Sequence, residues 1–210
     1  MNFSEYKFLI TSDLYRISPK KTNLPTLLKA LVFGESYKYI FWMRTCNYTR
    51  SHPLLKLLAY PVARLMLHRL TYKLGIWIPP GTNIGSGFYI GHFGGIIINP
   101  ECVIGKNCNL SHGVTLGQAN RGRNKGTPVL GDNVYIGPGA KIVGAVRIGN
   151  NVAIGANSVV TRDVPNDAVV AGNPARVISL KGSAGYVNNT DYEEPGVLVT
   201  APAQHAPESA

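Results

Sequence analysis

Acidic residues are scarce in this sequence, charge of either sign is thin, and cysteine is nearly absent. Of 210 residues only 11 are Asp or Glu, and charged residues make up 15% against 45% hydrophobic. That balance excludes wholesale disorder and permits one sizeable buried core. The three cysteines, Cys46, Cys102 and Cys108, include no CxxC pair and are odd in number. A disulfide framework is therefore excluded, and buried thiols in a reducing compartment are expected. No run of about 18 apolar residues exists, because Lys56, Arg64 and Arg69 interrupt the best stretch. The opening MNFSEYKFLITSD has no basic segment followed by an apolar core, so no secretory signal is expected. The expected location is cytoplasmic, with peripheral contact at the inner face of a membrane left open. Helix-turn-helix, zinc-finger and aromatic-basic RNA-binding signatures are all missing, which argues against a nucleic-acid partner.

What charge there is lies unevenly. Of the 21 basic residues 12 precede Trp77, together with only 3 acidic ones. This is either a solvated basic face or an attraction to something anionic, such as a membrane surface or a pyrophosphate-linked substrate. Residues 1–76 read as a helical N-terminal region. Asn23 caps a helix with Pro25 in its first turn, and Leu24, Leu27, Leu28 and Leu31 share a face. Gly34 and Ser36 mark a stop and a new start running to about Tyr48. A third helix spans about Pro53 to Lys73, kinked or broken by Pro61. Its apolar residues alternate with Lys56, Arg64, His68, Arg69 and Lys73. Such a face packs on the protein or another subunit, or lies on a membrane. Residues 37–73 are the candidate membrane contact.

From Ile78 a single pattern takes over. An aliphatic residue recurs every six positions at Ile78, Ile84, Ile90 and Ile96. After a two-residue slip it resumes at Ile104, Leu110 and Leu116, and after a longer interruption at Leu130, Ile136, Ile142, Ile148, Ile154 and Val160. A six-residue unit cannot bury its own side chain, whereas stacked units can. Short strands turning tight corners are expected, with Gly and Asn supplying the positive φ that corners require. Helical spacing of three and four is lacking. The segment Gln118 to Thr127, QANRGRNKGT, is polar and basic and should leave the stack as a loop. The pattern fades over Val164 to Arg176, where prolines enter, and 187–210, acidic and aperiodic, reads as a flexible tail.

The segments IGHFGGIIINPECVIGKNCNLSHGVTLG, PVLGDNVYIGPGAKIVGAVRIGNNVAIGANSVVTRDVP and AGNPARVI resemble the hexapeptide-repeat acyltransferases, within them the serine acetyltransferase-like branch. The resemblance covers about half the chain. It implies a mainly β fold, a left-handed parallel β-helix over 77–186 with the loop 118–127, preceded by the small helical region. It also implies acetyl-CoA as co-substrate, no metal, and a homotrimer with sites between neighbouring copies.

Acetyl transfer to an alcohol needs a base to take the proton as the hydroxyl attacks. Histidine suits this, with an unperturbed pKa of about 6.5. His92, in Gly91-His92-Phe93-Gly94-Gly95, matches the family's catalytic histidine. His112 is the second candidate, for catalysis or acceptor binding. By resemblance the pantetheine arm contacts Gly117, Pro138, Gly139, Ala140, Gly155 and Ala156, with Arg176 and Lys181 near the nucleotide phosphates. Arg121, Arg123, Lys125 and Thr127 are weaker acceptor-binding candidates, a solvated loop being the alternative.

Three departures from the serine enzymes bear on the acceptor. Trp77 stands where an Asp orients the catalytic histidine, Gly91 where an Asp holds the serine amine, and Gly126-Thr127 where an Arg-His pair binds the amino acid. A sugar hydroxyl is therefore the expected acceptor, on a free or lipid-linked saccharide in surface-polysaccharide synthesis, as IPPGT, GHFGG and GVTLGQ also suggest by resemblance. The alternatives are serine O-acetylation and a non-catalytic β-helix scaffold.

Overall fold

The computed structural model describes residues 1–19 and 22–193. Five helices come first: α1 (Phe3–Tyr15), α2 (Leu24–Phe33), α3 (Glu35–Arg50), α4 (Pro53–Leu58) and α5 (Tyr60–Leu74). Asn2 and Glu5 form a reciprocal capping box on α1, and Asn23 caps α2 through the Thr26 N–H. The expected third helix is two helices, divided at Ala59, with Pro61 in the first turn of α5. There the missing N–H costs nothing. Among the described residues no helix is long and apolar enough to cross a membrane.

Beyond Gly75 the chain coils through three parallel sheets. Face I stacks Ile76–Trp77, Ile96–Ile98, Thr115–Gly117, Lys141–Val143 and Val159–Val160. Face II stacks Asn83–Ile84, Val103–Ile104, Val129–Leu130 and Arg147–Ile148. Face III stacks Tyr89–Ile90, Asn109–Leu110, Tyr135–Ile136, Ala153–Ile154 and Val169–Gly172, closed by an antiparallel strand Ala175–Ser179. All thirteen aliphatic positions of the six-residue pattern are buried. They form columns such as Ile84–Ile104–Leu130–Ile148 and Ile90–Leu110–Ile136–Ile154.

The two-residue slip has a definite place. On face I the column runs Ile98–Leu116–Ile142, so Ile98, six residues before Ile104, carries the pattern forward. The surplus lies upstream, in the corner between faces III and I. There the Gly91 N–H bonds to Leu110 O and the Gly113 N–H to Gly94 O. Gly91 thus stacks on Ser111 and Gly94 on His112, leaving His92 and Phe93 as the inserted pair.

The helices cap the first coil through buried polar contacts. Arg44 pairs with Asp13 at 2.9 Å and donates to the carbonyls of Ile84 and Gly85. Asp13 accepts from the Phe88 N–H, and Arg16 donates to Gly87 O and Asn109 Oδ1. The segment read as a tail from residue 187 begins differently. Tyr192 is buried, hydrogen-bonded with Ser86 and Asn107, and Lys106 pairs with Glu193. The rest of that reading, 194–210, lies outside the described residues. Burial pushes the thiols of Cys46 and Cys102 up to about 11 and that of Cys108 to about 12, which leaves them unreactive packing groups.

Candidate active site

His92 sits on the insertion and projects from the III/I corner. His112 lies in the next coil of the same corner, the two rings 6.2 Å apart and nearly perpendicular at 71°. Both are exposed. Neither ring makes a hydrogen bond among the described residues, so the orienting partner that Trp77 cannot supply is not replaced within those residues. Trp77 itself faces outward on face I beside Arg64, His68 and Tyr72, lining a cleft of about 650 Å³. At Gly91, a second departure, a Cβ would stand 3.5 Å from the Tyr89 ring, at ordinary contact distance.

Below His112 the corner continues as a straight track. The Gly139 N–H bonds to His112 O, and the Asn157 N–H to Pro138 O. Gly95, Gly113 and Gly139 stack there with φ of 64°, 70° and 73°. A Cβ on Gly95 or Gly113 would press within 3.4 Å of the glycine below. Pro138, Gly139, Gly155 and Ala156 are the candidate cofactor residues that share this track, which leaves backbone open to an extended ligand. Arg176, paired across from Ala171, lies at its lower end.

Three expected cofactor contacts stand elsewhere. Ala140 is 0% exposed and turns into the core, so it has no surface to offer. Gly117 ends its strand at the opposite edge of face I. Lys181 lies at the II/III corner, by Asn151 and Asp167, because the closing antiparallel strand carries the chain back across face III. The loop also lies at the far edge of face I. Its base closes through Ala119 and Gly126, and Asn124 donates to Thr161 O and accepts from the Ala145 N–H. Arg121, Arg123 and Lys125 are exposed on it, and Thr127 donates to Glu101 O. Within one chain these residues and His92 flank opposite edges of one sheet.

One side chain near His92 was missed in the sequence. Glu35, at the start of α3, lines a pocket of about 410 Å³ with His92, Phe93, Tyr89, Ser36 and Phe33. The available signal was its isolation, as the single acidic residue between Thr22 and Ile76.

Comparison with known proteins fits this architecture. Residues 127–162 match the family described as bacterial transferase hexapeptide (six repeats). A serine acetyltransferase of Synechococcus elongatus is 43% identical over 121 residues, covering 58% of this chain and 50% of that protein. One of Staphylococcus xylosus is 42% identical over 132 residues, covering 63% and 61%. This chain thus spans half to about three fifths of those relatives. Among solved structures, Brucella abortus serine acetyltransferase in complex with coenzyme A superposes with a TM-score of 0.68 at 26% identity, covering 84% of this chain and 69% of that one. Neisseria gonorrhoeae serine acetyltransferase in complex with serine gives 0.66 at 28%, covering 84% and 70%. The likeness to these enzymes carries the left-handed sense of the coil. Residues 127–162 thus carry the hexapeptide-repeat transferase pattern, and the β-helical part of the chain is similar to the serine acetyltransferases.

Proposed function

We propose that this chain is an acetyl-CoA-dependent O-acetyltransferase. The observation that carries the reading is His92 on an inserted, exposed corner at the head of a glycine-lined track. The track suits a pantetheine arm through Pro138, Gly139, Gly155 and Ala156, with Arg176 for phosphate. His92 takes the proton of the acceptor hydroxyl as its oxygen attacks the thioester carbonyl. The tetrahedral intermediate then collapses, and the same proton leaves with the CoA thiolate. His112, one coil below, contacts the acceptor.

The names of the matched relatives favour L-serine as the acceptor. The residues favour a sugar hydroxyl, because Trp77, Gly91 and Thr127 supply no countercharge for an amino acid. A trimer is part of the proposal. It would bring the loop of one copy, at one edge of face I, toward the His92 corner of the next. Peripheral membrane contact through the helical region is a further part, supported by the exposed Leu54, Leu57, Leu58, Val62 and Leu65.

CoA release from acetyl-CoA, read with a thiol reagent against L-serine, simple sugars, nucleotide sugars and capsule-type oligosaccharides, tests the reading. His92→Ala should lower turnover by about 10²–10⁴-fold while acetyl-CoA still binds. Undiminished turnover in that variant would remove His92 as the base. A wild-type chain that binds no acetyl-CoA would point to a scaffold.

A further inference from the structure

The pocket beside His92 is built by a sharp junction between two helices. α2 ends and α3 begins at Gly34, where a Cβ would lie 2.7 Å from Ala30 O. Only glycine turns the chain there without a shift. The junction brings Phe33, Glu35 and Ser36 over the inserted corner. The Glu35 carboxylate meets Lys73 at 3.3 Å through one oxygen and Lys38 at 3.3 Å through the other. The hydrogen bond from Lys73 holds this carboxyl below the usual glutamate range, so it is ionised at neutral pH. A carboxylate has about four lone-pair sites, and two ammonium contacts leave it able to accept more. The hydroxyls of Tyr89 and Ser36 make no hydrogen bond among the described residues. Phe33 and Phe93 supply exposed aromatic surface. No lysine or arginine lines the pocket.

We propose that Glu35 is an acceptor-binding residue: its carboxylate accepts the hydrogen bond of the donor group next to the reacting hydroxyl, while His92 takes the proton of the reacting one. This rests on the acetyl-transfer reading above. The donor group is a neighbouring sugar hydroxyl or the ammonium of a hydroxy amino acid. The pocket favours the saccharide, since Lys38 and Lys73, the cations beside it, are already paired with Glu35, and an amino acid's carboxylate would have to compete for them. Tyr89 and Ser36 add neutral partners for further hydroxyls, and the two phenylalanines offer faces for the apolar side of a sugar ring.

The test begins with saturation-transfer NMR on the full chain, using L-serine and the methyl glycosides of glucose, galactose, mannose and N-acetylglucosamine. KM and kcat by thiol release follow for wild type, Glu35→Gln and Lys73→Met. At least one probe should bind. Glu35→Gln should raise its KM by about tenfold or more, the size of one hydrogen bond to a charged group, with kcat within about twofold. The same loss is read from the NMR signal where turnover is absent. Lys73→Met keeps the carboxylate and should change KM by less than about threefold, as for a surface ion pair. A responding glycoside assigns the partner as a hydroxyl, and responding L-serine assigns an ammonium; either keeps Glu35. The proposal falls if no probe binds wild type, or if Glu35→Gln leaves KM unchanged. It also falls if Lys73→Met reproduces the loss, since Glu35 would then serve to fasten α3 to α5. Calorimetric binding of acetyl-CoA is measured separately; its absence would remove the acetyl-transfer reading without changing how the glycoside data are judged.

Discussion

At the scale of single residues, the join between helices and coil rests on two arginines and one aspartate. Asp13 and Arg44 are almost wholly buried, and Arg44 spends two further N–H groups on the Ile84 and Gly85 carbonyls. Burial alone pushes the Asp13 carboxyl up, while Arg44 and the Phe88 N–H pull it back toward the ionised form. Such a pair adds little net stability while intact but is costly to break from one side. Arg44→Met should therefore destabilise the chain by about 3–5 kcal/mol in urea unfolding, because it strands a buried carboxylate. Asp13→Asn with Arg44→Met should recover much of that loss. A single variant with unchanged stability would mean that water reaches Asp13. None of this was legible in the sequence. Asp13 and Arg16 stand three residues apart, but Arg44 is 31 positions from Asp13, so only the folded contact shows the three as a unit. His92 was legible, because its glycine neighbours and motif announce an open corner. The place of Glu35 beside it was not, because it depends on a helix junction passing over that corner.

At the scale of elements, the six-residue pattern identified the inward columns residue by residue. It failed on phase. Ile96 and Ile98 are both buried, so counting forward from Ile90 in sixes lands on Ile96 and assigns the surplus to the wrong side of it. Hydrogen-bond register, which a side-chain pattern cannot see, moves the surplus to His92 and Phe93. The corner opposite carries a ladder of amides: Asn107 donates to Asn133, Asn133 to Asn151 and Asn151 to Asp167, with positive φ at all four. Asn133→Ala removes two rungs and puts a Cβ-bearing residue without local hydrogen bonds at φ 57°. The expected cost is about 2–4 kcal/mol. Asn133→Gly removes the same rungs without the backbone strain and should cost less. Thermal unfolding of the two variants side by side separates the terms, and equal losses would show that the ladder alone matters. Among the helices, the caps of α2 and the break near Pro61 were legible. The start of α1 was present as Asn2-x-x-Glu5 but lacks the apolar stripe that draws the eye.

At the scale of the whole molecule, the helical cap leaves an apolar strip in the open. Leu58, Val62 and Leu65 follow helical spacing across α4 and α5, with Lys56, Arg64 and Arg69 exposed around them. α3, inside the stretch first assigned to a membrane, buries seven residues. The candidate surface therefore narrows to α4 and α5. Full-length chain should sediment with anionic vesicles at low salt and be released as salt rises, since screening removes the headgroup term. Leu58→Glu with Leu65→Glu should abolish sedimentation. Vesicle binding by wild type that is indifferent to this pair would place the contact elsewhere, and no binding at low salt would end the membrane reading. The sequence showed the strip but not which flank of the third helix it occupied, because that depends on α5 burying Ala63, Leu67, Leu70 and Leu74 instead.

The stacked corner is also a measuring rod. Gly94, His112, Pro138 and Ala156 belong to successive turns of the coil, and neighbouring strands in any sheet lie about 4.8 Å apart. The interval from His92 to Arg176 is thus counted in whole turns and cannot drift by fractions. Excising one complete turn, 143–160, would keep every inward residue in phase and bring Arg176 closer to His92 by about 4.8 Å. On the proposed acetyl-transfer reading, the protein would then be gauged for a shorter thioester carrier.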